Sequence, residues 1–148
     1  MSFDNKKLAK LESKYEGITA LDEAHENVEF REDLLNYPDP EDTEKDLDNA
    51  DNKLVEAYDL LKRLETEHPR AKAYLSAYFF SLYPTYYFNY SIQGHKAMKI
   101  LDAGGSIEDA YKTLNNIHRR HNYRRVVNAI INIIKKILPA SKDDNLPF

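Results

Sequence analysis

The chain has 148 residues, of which 42% are hydrophobic and 31% charged, with a formal net charge of −4 and no cysteine. This is the size of one domain, or of one small domain with a helical extension, and it holds enough apolar residues for a core. Disulfides, thiolate nucleophiles and cysteine metal sites are excluded, no apolar run reaches the roughly 18 residues of a membrane span, and MSFDNKKLAKLESKYEG lacks the features of a secretory signal; a cytoplasmic protein is expected.

Four glycines and six prolines punctuate a sequence otherwise rich in helix formers, which predicts an all-α fold. The first helix is expected from about Asn5 to Gly17, with Leu8, Leu11, Tyr15 and Ile18 spaced 3-4-3. A second covers Thr19–Leu35, its apolar side made by Leu21, Val28, Phe30, Leu34 and Leu35, and Asn36–Pro38 forms a turn. Asp39 is the expected cap of a third helix. Pro40 suits its first position, and Glu41 and Asp42 face the positive end of the helix dipole. Leu47, Ala50, Leu54, Ala57, Leu61 and Leu64 then recur at a/d spacing until His68-Pro69, where proline restricts the residue before it. A helix from Pro40 to Glu67 would be roughly 40 Å long. Its stripe either packs on the protein's own helices or forms a dimer seam.

Arg70–Leu82 is expected to be helical and is closed by Tyr83-Pro84. Nine aromatic residues cluster there: Tyr74, Tyr78, Phe79, Phe80, Tyr83, Tyr86, Tyr87, Phe88 and Tyr90. Leu75, Phe79 and Leu82 at helical spacing direct some of this tract into the core. The rings exceed what one helix face needs, so Tyr83, Tyr86, Tyr87 and Tyr90 are assigned to a surface that stacks bases or holds a protein partner.

Ser91–Asp102 is the next helix, stopped by Ala103-Gly104-Gly105. Ser106 caps the following one, with Asp109 completing a capping box, and Ile107, Ala110, Tyr111 and Leu114 form its inner face. Asn115-Asn116 is read as a turn. A last helix is expected from His118 to about Leu138, with Tyr123, Val126, Val127, Ile130, Ile131, Ile134, Ile137 and Leu138 as its apolar stripe, ended by Pro139. Residues 139–148 form a polar tail.

The segment KAMKILDAGGSIEDAYKTL followed by NNIHRRHNYRR resembles the helix-turn-helix DNA-binding domains of phage regulators, site-specific recombinases and small terminase subunits. The resemblance covers residues 92–127. It implies a recognition helix whose first residues, Arg119, Arg120 and Asn122, read base edges in the major groove. Arg124, Arg125, Lys135 and Lys136 would then grip phosphates, joined by His118 and His121 when protonated. The spacing departs from the family in its second turn, which needs one extra residue to bring Tyr123 and Val126 inside.

Charge is divided along the chain. Residues 1–60 carry 18 Asp+Glu against 7 Lys+Arg, a balance of −11, whereas residues 91–138 carry 9 Lys+Arg against 3 Asp+Glu, a balance of +6. Separate tasks for the two halves, or their mutual neutralisation, would follow. Catalytic patterns are weak. Glu41, Glu44, Glu56 and Asp59 have the spacing of helical magnesium sites, Glu65/His68 and Asp22/His25 imitate di-iron half-sites, and Arg63 with His68 imitates a helical ribonuclease pair. None comes with the further groups such chemistry needs, so no catalytic residue, metal or cofactor is assigned. The expected architecture is a multi-helix bundle: 1–68 as an acidic helical region for interaction or self-association, 69–138 as a compact domain with the helix-turn-helix-like unit, and 139–148 as tail. The expected function is non-enzymatic nucleic-acid binding, DNA over RNA, of a phage or bacterial regulatory or packaging type. A homodimer or higher oligomer is compatible with this, as is a protein partner on the acidic half. The alternative is a helical adaptor or inhibitor that binds a protein through its acidic or aromatic surface.

Overall fold

The computed structural model describes residues 3–120 and 122–138, apart from the side chains of 122–124. The expected tail, 139–148, lies outside the described residues. Within them the fold is all-α, with seven helices: α1 (Asn5–Lys14), α2 (Ile18–Asn36), α3 (Glu44–Glu67), α4 (Pro69–Leu82), α5 (Tyr90–Asp102), α6 (Ile107–Asn115) and α7 (Asn122–Ile137). No helix among these residues is long and apolar enough to cross a membrane.

The helix ends follow local chemistry. Asp4 caps α1 by accepting from the Lys7 N–H at 2.7 Å. The corner into α2 turns on Gly17 at φ +85°, where a Cβ would lie 2.2 Å from the His68 ring, so both dihedral and space require glycine. Glu12 reaches across this corner and accepts from the Gly17 N–H at 2.9 Å and from the Thr19 N–H and hydroxyl at 3.0 Å. Burial pushes its carboxyl pKa upward, but these donors prevail and hold it below the usual carboxylate range.

The expected cap at Asp39 is corrected. The third helix starts at Glu44, with Thr43 as its cap: the Asp46 N–H donates to Thr43 Oγ1 at 3.3 Å, and the Thr43 N–H donates to Asp46 Oδ2 at 2.9 Å. This reciprocal box satisfies two backbone donors where a single cap at Asp39 would satisfy one. Asp39 instead closes a turn, accepting from the Glu41 N–H at 3.0 Å.

Helix α4 is the hub. Helices α2 and α3 pair with each other and pack on it, and α5 and α6 do the same. The α4–α5 crossing is very close. A Cβ at Gly94 would lie 2.4 Å from the Ser81 nitrogen and 2.6 Å from the Ala77 oxygen, and Ala73, Ala77 and Ala97 beside it are wholly buried. One core spans the His68-Pro69 break, with Tyr15, Ile18 and Leu21 joined to Leu75, Leu101 and Leu114. The Tyr15 hydroxyl donates to Asp102 at 2.7 Å, and Arg70 donates to the carbonyls of Leu101 at 2.7 Å and Gly105 at 2.9 Å. Burial first, and Asp102 second, hold the Tyr15 pKa far above its ordinary value.

The α3 stripe has two fates. Ala57 and Leu61 are buried, with Leu54 and Leu64 packed against them, whereas Leu47 and Ala50 at the other end are half-buried.

Candidate nucleic-acid interface

The turn from α5 to α6 forms with its expected glycine and serine cap, but Asp109 does not return the bond that would complete the expected capping box. Gly104 takes φ +81°, and Ser106 Oγ accepts from the Asp109 N–H at 3.0 Å. Ala110 and Leu114 face the core.

Beyond α6 the structure departs from the expected turn and helix from His118. Residues 116–120 are not helical, and α7 begins at Asn122. The cause is pairing with the α4–α5 loop. The Arg120 N–H donates to the Tyr87 carbonyl at 2.7 Å and the Asn89 N–H to the His118 carbonyl at 3.3 Å, which bridges Phe88 and Arg119 antiparallel. The buried Asn89 side chain fixes the same strap. Its Nδ2 donates to the Asn116 carbonyl at 3.1 Å, and its Oδ1 accepts from the His118 N–H at 2.8 Å. His118 Nδ1 lies 3.1 Å from that Nδ2 and accepts from it, so the imidazole proton is assigned to Nε2. Backbone groups that would start a helix at His118 are taken by these partners.

This rearrangement relocates the expected base readers. Arg119 and Arg120 lie in the strap before α7, not at the start of a helix. Arg119 is exposed; Arg120 is half-buried and donates to the Thr85 carbonyl at 3.2 Å. Asn122 is the first residue of α7, but its side chain, like that of Arg124, and His121 altogether, lie outside the described residues. Arg125 is exposed on the first turns of α7. Lys135 and Lys136 are exposed ten residues further on, roughly 15 Å along the helix.

Four of these residues converge. A cleft of about 420 Å³ is lined by His118, Arg119, Arg120 and Arg125 together with Lys96 of α5, over the amides of Asn89, Gln93 and Asn116. No carboxylate of the described residues lines it. Gln93 is 4% exposed, donates through Nε2 to the Asn116 carbonyl at 3.0 Å, and leaves its Oε1 without a hydrogen-bond partner among the described residues. Lys96, Asn89 and Gln93 were missed by reasoning along the sequence. They join the cleft only through pairing between segments 23 to 29 residues apart, for which periodicity has no signal.

The aromatic tract divides. Tyr74 is buried and Tyr78, Phe79 and Phe80 are half-buried, while Tyr83, Tyr86 and Tyr87 are exposed, Tyr86 to 81%. Tyr90 packs among its neighbours, with ring centroids 5.6 Å from Phe80, 5.4 Å from Tyr83 and 5.6 Å from Phe88. Leu82, expected inside, is 46% exposed. Tyr86 and Tyr87 therefore lie on the loop that is hydrogen-bonded to the cationic strap.

The stripe of α7 also differs from expectation. Val126, Val127, Ile130, Ile131, Ile133, Ile134 and Ile137 are all exposed, and among the described residues α7 does not pack broadly on any other helix. Of the metal-like patterns, His25 Nε2 lies 3.9 Å from Glu65, whose other oxygen is 3.2 Å from Lys72. Among the described residues no three His, Asp or Glu side chains gather as metal ligands. No protein-family model matches the chain, no curated protein matches it, and no solved structure matches its fold.

Proposed function

We propose that the protein is a non-enzymatic nucleic-acid-binding protein, with DNA preferred to RNA, and that the cleft between α5 and the strap receives the phosphate backbone. The observation that carries this reading is the lining itself: Lys96, Arg119, Arg120 and Arg125 meet beside His118 in one concavity that no carboxylate of the described residues lines. Like charges held close together repel one another, and a polyanion relieves that repulsion while releasing its own counterions. The exposed Lys135 and Lys136 extend the cationic surface along α7. Tyr86 and Tyr87, exposed on the loop bonded to the strap, offer faces on which unpaired bases stack. The α5–glycine turn–α6 pair is the portion of the helix-turn-helix resemblance that supports a phage-type regulator or packaging protein.

Fluorescence anisotropy of a labelled duplex and of its single strand, titrated at several salt concentrations, tests the reading. Log affinity should fall with log salt at a slope near −4 for the duplex, as expected for about four or five phosphate contacts. Arg119→Ala/Arg125→Ala should weaken binding roughly tenfold or more and flatten that slope by about 2. Absence of binding to either probe at low salt overturns it. The adaptor reading then takes over, favoured by the exposed rings of Tyr83, Tyr86 and Tyr87.

A further inference from the structure

The face of α7 cannot remain in water without cost. Val126, Val127, Ile130, Ile131, Ile133, Ile134 and Ile137 are between 36% and 71% exposed, on a helix that is 16 residues or roughly 24 Å long. Each such side chain left wet forgoes part of the free energy that burial would give it. The polar positions of Asn122–Ile137 are asparagine, Arg124, Arg125, Lys135 and Lys136, with no acidic residue.

A surface of opposite character runs along the α2–α3 hairpin. Two adjoining depressions, of about 540 and 270 Å³, share Arg31 and Lys53 in their walls. Leu34, Leu47 and Ala50 supply apolar lining in the first, and Ala57 and Leu60 in the second, while Asp39, Asp42, Asp46 and Glu56 stand at their edges. Over residues 18–67 the chain carries 17 Asp+Glu against 5 Lys+Arg, a balance of −12. The groove lies at the less buried end of the α3 stripe, where Leu47 and Ala50 continue the spacing of the buried Ala57 and Leu61 but are only half-buried.

We propose that α7 of one copy lies in the α2–α3 groove of a second copy, and that the exchange is reciprocal, giving a two-fold dimer. Charge complementarity selects the occupant: a basic helix with an aliphatic face meets an acidic groove with an aliphatic floor. Pairing of α7 with another α7 would instead bring like charges together. The own-chain alternative is disfavoured by topology. The strap holds the root of α7 against the α4–α5 loop, whereas the groove belongs to α2 and α3, which join the rest of the body through α4. An isologous exchange satisfies both faces of both copies at once and closes, so it stops at two chains.

Sedimentation velocity of the full chain over a range of concentrations gives the first test, with a dimer of twice 17.3 kDa expected. Ile130→Glu/Ile134→Glu on α7 should yield monomers of unchanged helical circular dichroism, with dimer affinity lowered at least a hundredfold. Leu34→Glu/Leu47→Glu in the groove should do the same. The decisive measurement mixes these two defective chains. Each retains the surface the other has lost, so a mixed dimer held by one exchanged helix should form where neither variant dimerises alone. A wild-type monomer at all concentrations overturns the proposal, as does a dimer that survives the groove variant, which would indicate α7–α7 pairing. Monomers in the mixture overturn it too, and so does a monomer that dimer-forming conditions leave unchanged but vesicles of anionic lipid capture through α7.

Discussion

Helices α5 and α7 are both amphipathic, yet one is enclosed and the other is open, and the difference lies in the size of the residues on the apolar face. Helix α5 meets α4 through Gly94 and Ala97 against Ala73 and Ala77, so the backbones nearly touch. Small residues specify what lies opposite, because only another helix backbone at one crossing can fill the space. The large apolar residues that helix α7 exposes are valines and isoleucines. Branched aliphatic side chains supply area and accept many coverings, so the stripe announces that something covers α7 without dictating what. The body encodes its partner by shape, and α7 leaves the choice to charge.

Three substitutions press on that contrast. Gly94→Ala has the largest expected effect, because the added carbon meets backbone atoms on α4 that cannot swing aside. It should lower unfolding stability by about 3 kcal/mol in urea titration. An unchanged midpoint would break the claim that the α4–α5 crossing is fixed by size. A smaller effect is expected at Asp22, where the body closes over a carboxyl that is 2% exposed. Burial, and next the nearby Glu26, raise its pKa in the fold. Its contribution to stability is therefore full below the unfolded carboxylate value of about 3.9 and is lost as pH rises through the higher folded value. Asp22→Asn should raise Tm at neutral pH, with the gain shrinking toward pH 4; a gain that is constant with pH would remove burial as the cause. The smallest effect belongs to α7. Ile134→Lys should alter the folding stability of the dilute monomer by less than about 0.5 kcal/mol, as an exposed position does. A larger loss would mean that α7 packs on its own body.

Features that depend on neighbours in sequence were legible from the sequence. The spacing of Leu54, Ala57, Leu61 and Leu64 marked a face that is packed, and Ser106 and Gly104 marked the α5–α6 turn. Boundaries failed where two local solutions competed. Asp39-Pro40 suits a helix start and a turn equally, and Thr43 with Asp46 prevailed by making two reciprocal bonds. The candidate site was legible as a list of cations but not as a cleft. Its shape depends on Asn89, which organises Asn116 and His118 from 27 and 29 residues away, and Asn89 in an aromatic tract looks like any loop residue. Of the four tyrosines assigned to a partner surface, Tyr83, Tyr86 and Tyr87 are exposed, whereas Tyr90 is half-buried in a ring cluster with Phe80, Tyr83 and Phe88.

The hydrogen bond from Tyr15 to Asp102 joins residues 87 apart. During synthesis at roughly 5–20 residues per second, the first helix would wait about 4–17 s for the carboxylate that receives its hydroxyl. Tyr15, Ile18 and Leu21 would spend that interval beside α2 and α3 without the residues of α5 that finally enclose them. The acidic charge of this early portion, −11 over residues 1–60, then keeps nascent chains apart while their core is incomplete. The N-terminal acidity would thus protect the newborn chain before it serves the finished one.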